Sequence, residues 1–244
     1  MKYIEKDYNS EAVTDYEAEL ANNQLDENSL ADPEVHPASN GAAVYDMVRS
    51  FSSFPALIQQ MFKEQGGICC YCGRKLEYPN HPQYIIEHVK PKESDRRLAG
   101  EYKNLLLSCR PSSEEEELRK KASRKERNRF FHCDKSKSST PITYSPLQRD
   151  CGKRFRYDEF GDVNVVDDTD ADALRDLQTL NLKCDWLKKR RMAALIGELY
   201  DENNELLPDD ELRQRLQTIM ERDEKGMYVE FCFVIKDAIE HILN

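Results

Sequence analysis

Apolar side chains recur at helical spacing towards both ends of this chain, with a strand-like pattern between them. Val44, Met47, Val48 and Phe51, then Leu57, Ile58, Met61 and Phe62, fall three and four residues apart. That spacing predicts a helical lead-in over 41–65, either two helices or one kinked at Pro55, ended by Gly66-Gly67 as a C-cap would end it. From Asp170 onward the period returns with Leu174, Leu177, Leu180 and Leu182, then Leu187, Met192, Leu195, Ile196 and Leu199. Leu212, Leu216, Ile219 and Met220 form the next stripe, and residues 231–243 the last. In the middle, residues 68–76 and 83–89 read as strands, the second carrying Tyr84, Ile85, Ile86 and Val89. Pro79, Asn80 and Pro82 predict the turn that joins them. Residues 105–107 are a short apolar segment. Residues 141–167 alternate aromatic, basic and β-branched positions around Gly161-Asp162, a hairpin signal.

Two segments lack such periodicity. Residues 1–40 are polar and punctuated by Asn22-Asn23, Pro33, Pro37 and Asn40-Gly41, which predicts a loosely packed arm with at most a short helix. Residues 110–131 carry four consecutive acids, Glu114 to Glu117. Seven basic residues follow within eleven positions: Arg119, Lys120, Lys121, Arg124, Lys125, Arg127 and Arg129. This reads as a solvated, partly helical insertion, with the basic run either pairing internally or serving as a phosphate clamp. The expected class is α+β: a small module over 66–140, interrupted at 110–131, within a mostly α-helical chain. The hairpin segment 141–167 and a helical region at 168–244 follow it.

Composition adds constraints. The 244 residues, 39% of them apolar, suffice for one good core or for a small module plus a helical domain. The first residues contain no apolar run and the longest apolar stretches are far too short to span a bilayer, so a cytoplasmic chain is expected. Eight cysteines in such a chain point to metal rather than to disulfides. The net charge of −10 argues against a general nucleic-acid binder, but its distribution is uneven. Residues 69–137 hold 17 Lys+Arg against 11 Asp+Glu, a local +6, and the remainder holds 19 against 35, or −16. Positive charge is concentrated in the module, while the acidic remainder suits a protein partner or plain solubility.

The chemistry lies in that module. Cys69-x-x-Cys72 is a knuckle whose two sulfurs can converge on one ion, and Cys109 and Cys133 are the natural second pair for a tetrahedral zinc. Cys70 sits inside the knuckle and cannot easily share the ion. Cys151, Cys184 and Cys232 have no metal spacing and read as core thiols. Glu87-His88 lies between the cysteine pairs. Neighbours on an extended strand leave opposite faces, so both reach one site only where the strand ends, and Lys90-Pro91 marks such an end. A neutral His88 can take a proton from water attacking a phosphodiester. Glu87, with a second ligand, can hold a hard divalent ion, Mg²⁺ or Mn²⁺. Asn104 can orient His88 or hold the loop.

These residues resemble the HNH endonuclease family, a ββα-metal fold. Cys69-x-x-Cys72, Glu87-His88-Val89-x-Pro91, Asn104-Leu105, Cys109 and Cys133-Asp134-x-x-Lys137 follow its pattern in order. The resemblance implies a zinc-stapled nuclease module with His88 as general base. It also implies a catalytic metal at Glu87 and a third position, which is Asp134, or His132 if the register slips by two. The chain departs from the pattern twice: 23 residues separate the last two cysteines, and the third catalytic position, usually Asn or His in the family, is Asp134 when aligned directly after Cys133. More narrowly, Ile85-Ile86-Glu87-His88-Val89-x-Pro91-Lys92, residues 104–109, His132-Cys133-Asp134-x-x-Lys137, residues 142–147, Cys151-x-x-x-Phe155 and Leu180-Asn181-Leu182 resemble the PtuB group of Septu and retron-associated anti-phage defence. That likeness spans roughly residues 41–200. It implies a PtuA-type ATPase partner in a hetero-oligomer and, in retron-linked relatives, a reverse transcriptase with its RNA–DNA product. The implied substrate is DNA or tRNA. The alternatives are a catalytically inert zinc-stapled scaffold and a stand-alone HNH restriction endonuclease.

Overall fold

A computed structural model describes residues 1–32, 34–35, 40–77, 84–123 and 126–244. The predicted turn at Pro79, Asn80 and Pro82, and Arg124 and Lys125 of the basic run, lie outside the described residues. Over the described residues the chain is mixed α and β, about 47% helical, with two small two-stranded sheets. Among the described residues no helix is long and apolar enough to cross a membrane.

The N-terminal segment is not a loose arm. Its helix α1 (Glu11–Asn22) buries Val13, Tyr16 and Leu20, and the Tyr16 hydroxyl donates to the Gly100 carbonyl inside the core. A short α2 (Glu27–Ala31) follows, capped by the Asp26 side chain. The buried set in α1 falls on one face of a helix whose other positions are polar, so the mean composition hides it.

The helical lead-in consists of α3 (Gly41–Val48) and α4 (Phe54–Gln65), with Pro55 in the first turn of α4. Proline fits there because the first helical N–H groups have no partner to lose. Gly66 ends α4 in the left-handed conformation, φ 60°.

The expected strand over 68–76 is instead a tight loop closed by a single bridge, Ile68 to Lys75. Strand β1 (Tyr84–His88) pairs antiparallel with β2 (Leu105–Cys109), with Tyr84 opposite Cys109 and His88 opposite Leu105. Gln65, at the end of α4, holds the knuckle loop and β2 together. Its amide donates to the Ile68 and Leu107 carbonyls, both at 2.8 Å, and accepts from the Leu107 N–H at 2.7 Å.

Within 110–131 lies α5 (Ser113–Lys121), begun by a capping box between Ser112 and Glu115. The one-turn α6 (Asp134–Lys137) follows Cys133 directly. The hairpin predicted within 141–167 is β3 (Phe155–Tyr157) against β4 (Val163–Val165), turning at Gly161 with φ 72°. Helices α7 (Ala171–Thr179), α8 (Asp185–Leu199), α9 (Asp209–Thr218) and α10 (Cys232–Ile242) complete the chain. Cys151, Cys184 and Cys232 are buried free thiols.

Candidate metal centre and active site

The four cysteines converge. The sulfurs of Cys69, Cys72, Cys109 and Cys133 lie within 4.8 Å of one another and all four residues are buried. Cys72 Sγ and Cys109 Sγ are 3.7 Å apart, too far for a disulfide and in the range of two ligands sharing a tetrahedral ion. The Cys109 backbone N–H also points at Cys69 Sγ, at 3.2 Å. Buried sulfur this concentrated, unbridged and met by an N–H donor, fits a structural metal such as zinc.

The four ligands come from three local devices. The knuckle loop supplies Cys69 and Cys72, and the end of β2 supplies Cys109. Cys133 has a left-handed φ of 55°, which is costly for a side-chain-bearing residue. The linker after α7 holds it there: the Cys133 N–H donates to the Leu180 carbonyl at 2.8 Å, and the Asn181 amide donates to the Phe131 carbonyl at 2.7 Å. The fourth ligand is thus set from outside the motif, across the insertion.

Beside the sulfurs, a cavity of about 510 Å³ is lined by Glu87, His88, Asp134, Lys137, Tyr45 and Lys92, among others. Glu87 and His88 both reach it although they are strand neighbours, because β1 stops at His88. Glu87 is fully buried, and its Oε1 accepts from the Tyr71 hydroxyl and from Lys137 Nζ, each at 2.8 Å. Burial, and then the neighbouring Asp134 carboxyl, push Glu87 up to about 8 against the opposing pull of Lys137. Lys137 Nζ also donates to the His88 carbonyl at 2.9 Å.

His88 Nε2 lies 2.9 Å from the Ala99 carbonyl. A carbonyl only accepts, so Nε2 carries the proton and Nδ1 is the free base of the neutral ring. The ring meets Tyr45 of α3 edge-on, centroids 4.8 Å apart. Burial lowers the His88 pKa to about 4, so the ring is neutral at pH 7. Asn104 does not bond His88. It clamps the loop that follows: its Oδ1 accepts from the Lys90 N–H at 2.8 Å, and its Nδ2 donates to the Lys90 and Leu98 carbonyls at 3.0 Å each. That loop leads to Ala99, whose carbonyl fixes the His88 ring.

Two expected assignments do not converge on this cavity. His132 lies against the sulfurs, with Nδ1 3.3 Å from Cys133 Sγ and 3.6 Å from Cys109 Sγ, and Nε2 bonded to Glu115. Of the two candidate third positions, only Asp134 lines the cavity. None of Arg119, Lys120, Lys121, Arg127 and Arg129 lines it either. Arg119 stacks over Phe131 and Lys120 pairs with Glu117 at 2.7 Å. Among the described residues the cations at the cavity are Lys92, Lys135 and Lys137. A larger hollow of about 860 Å³ between the β3–β4 hairpin and α10 includes none of the predicted site residues.

Sequence reasoning missed Tyr71, Tyr45, Gln65, Arg74 and Glu115. Only Glu115 left a local signal, the Ser112-x-x-Glu115 capping pattern. No protein-family model matches the chain, and no curated protein matches it.

Proposed function

We propose that this chain is a metal-dependent HNH-type endonuclease that hydrolyses phosphodiester bonds of nucleic acid. The observation that carries the reading is His88. It is a buried, neutral imidazole with Nε2 committed to the Ala99 carbonyl, in a cavity shared with the carboxyl groups of Glu87 and Asp134. A purely structural zinc module has no need of an oriented base beside two carboxyl groups.

Glu87 and Asp134 offer hard oxygen donors that suit Mg²⁺ or Mn²⁺, and such an ion, when bound, neutralises charge on the scissile phosphate. The chain's own residues do the rest. His88 Nδ1 accepts the proton of the attacking water, and the Ala99 carbonyl and Tyr45 hold the ring in place. Lys137 offsets the carboxylate charge and ties Glu87 to the end of β1. Lys135 and Lys92, the latter paired with Glu93 at 3.2 Å, line the cavity and supply positive charge for the phosphate backbone. The four-cysteine site holds the knuckle loop, β2 and α6 in register under this cavity.

The acidic remainder leaves much of substrate capture to a partner. By resemblance to the PtuB group this would be a PtuA-type ATPase, with DNA or tRNA as the substrate and phage defence as the setting. The rival reading, an inert zinc-stapled scaffold, draws on the Lys137–Glu87 ion pair, which satisfies the carboxylate without a metal. The test is nicking of plasmid DNA and cleavage of total tRNA, in Mg²⁺ and in EDTA, with and without a co-purified ATPase. Cutting only with the divalent ion supports the nuclease and names its substrate. Absence of cutting in every arm, with zinc bound, favours the scaffold.

A further inference from the structure

The insertion between the last two cysteines carries a buried charged chain for which the reaction has no use. Glu115 of α5 is fully buried although it lies in a run of four acids. Its Oε2 accepts from Arg74 of the knuckle loop and from the Ser112 N–H, both at 2.6 Å. Its Oε1 accepts from His132 Nε2 at 2.9 Å. The other face of the His132 ring presents Nδ1 to Cys109 Sγ and Cys133 Sγ. A continuous line therefore runs from the knuckle, through a carboxylate and an imidazole, to the second pair of sulfurs. Arg74, Glu115 and His132 are each nine-tenths buried or more. Burying charged groups is costly unless every one is paired, and in this line each is.

His132 is not one more ligand of the cluster, because the group of metal-ligating atoms within mutual reach holds the four sulfurs alone. Its place is outside the cluster, along the Cys109–Cys133 edge. Groups packed directly against ligand sulfurs orient them, and His132 is held in that place by Glu115.

We propose that His132 is a positioning residue of the metal centre, and that Arg74 and Glu115 make α5 part of that centre's outer wall. Helix α5 is then a piece of the metal site rather than a solvated face, and it is held only while the sulfurs are gathered. The inference rests on metal occupancy of the four cysteines and not on nuclease activity.

The experiment uses the full chain loaded with Co²⁺ in place of Zn²⁺. The variants are Glu115→Gln and His132→Gln. Metal affinity is read by chelator competition, thiolate-to-cobalt charge transfer by absorbance, and α5 by amide hydrogen exchange with α10 as internal reference. Both variants should keep one tetrahedral cobalt per chain but lose it to chelator about 10- to 100-fold more readily. His132→Gln should also shift the charge-transfer band, because the ring's Nδ1 lies 3.3 Å from Cys133 Sγ and 3.6 Å from Cys109 Sγ and sets their surroundings. A purely packing role would leave that band in place. In wild type, stripping the metal should deprotect α5 while α10 stays protected. Cobalt affinity within twofold of wild type in both variants, or α5 equally protected with and without metal, overturns the proposal. If a variant does not fold, the wild-type exchange comparison decides alone. If stripping the metal unfolds α10 as well, the variant affinities decide. Wild type that binds no cobalt would instead refute the metal reading itself.

Discussion

Replacing Asn104 by Ala should destabilise the protein by about 3 kcal/mol. The side chain is buried and makes three hydrogen bonds, to the Lys90 N–H, the Lys90 carbonyl and the Leu98 carbonyl. A buried hydrogen bond contributes about 1 kcal/mol net, and partners left without one in a dry site lose at least as much. The β1–β2 ladder is untouched, since the Val89 N–H bonds the Asn104 backbone carbonyl, which any residue supplies. The loss therefore falls on the loop over 90–99. Guanidinium unfolding of the metal-loaded protein measures it as a lower midpoint at unchanged slope. Asn104→Asp gives an isosteric check. It replaces the donating amide with oxygen facing the Lys90 and Leu98 carbonyls, so it should cost at least as much as Ala. A loss under about 1 kcal/mol for Ala, or an Asp variant as stable as wild type, would refute the clamp.

Other predictions follow from the same geometry. Because His88 is already neutral above about pH 4, its own acid limb should lie near 4 at saturating Mg²⁺, and a limb centred near 6.5 that excess Mg²⁺ does not move would contradict the buried neutral ring; proton competition at Glu87, raised to about 8, gives instead a limb that moves with Mg²⁺. The folded state also binds fewer protons than the unfolded chain between 4 and 6.5, so this residue's contribution to stability declines as pH falls through that window. Asp237 has the opposite sign: burial raises it to about 6, so its folded form holds the proton longer and costs stability as pH rises from 3.8 through 6. Asp237→Asn should accordingly stabilise the protein by about 2 kcal/mol at pH 7.5 and by little at pH 3.5, read from denaturant midpoints at both pH values. Gly41→Ala would place a Cβ 2.0 Å from the Lys92 carbonyl oxygen. It should cost about 1–3 kcal/mol by thermal or denaturant unfolding and displace Tyr45 from the His88 ring, visible as a change in the His88 ring-proton shifts.

Much of the module was legible because its information is local. The C-x-x-C spacing, the Glu-His step at a strand end, the Gly66-Gly67 stop and the Gly161 turn are each fixed by a few neighbouring residues, and each is where its pattern placed it. What could not be read is long-range. Strand β1 was expected against 68–76, but its partner is β2, because the knuckle must curl to bring Cys69 and Cys72 together and cannot also extend. The N-terminal arm read as polar because only Val13, Tyr16 and Leu20 of α1 face inward. Of the basic run, the described residues Arg119, Lys120, Lys121, Arg127 and Arg129 do not line the cavity, and Lys120 pairs with Glu117, a placement that charge alone cannot give. The capping pattern with Ser112 marks Glu115 among the four acids as a helix-start residue, but its place opposite Arg74 and His132 is long-range and not in that pattern.

The central claim, that His88 is the base of a metal-dependent nuclease, is tested most directly by one comparison. Wild type and His88→Ala, matched for zinc content and folded stability, are assayed for cleavage of the substrate polymer over a Mg²⁺ titration. The account predicts cleavage that requires Mg²⁺ and falls by about 10²-fold or more in the variant while zinc remains bound. Equal cleavage by the two proteins would contradict it.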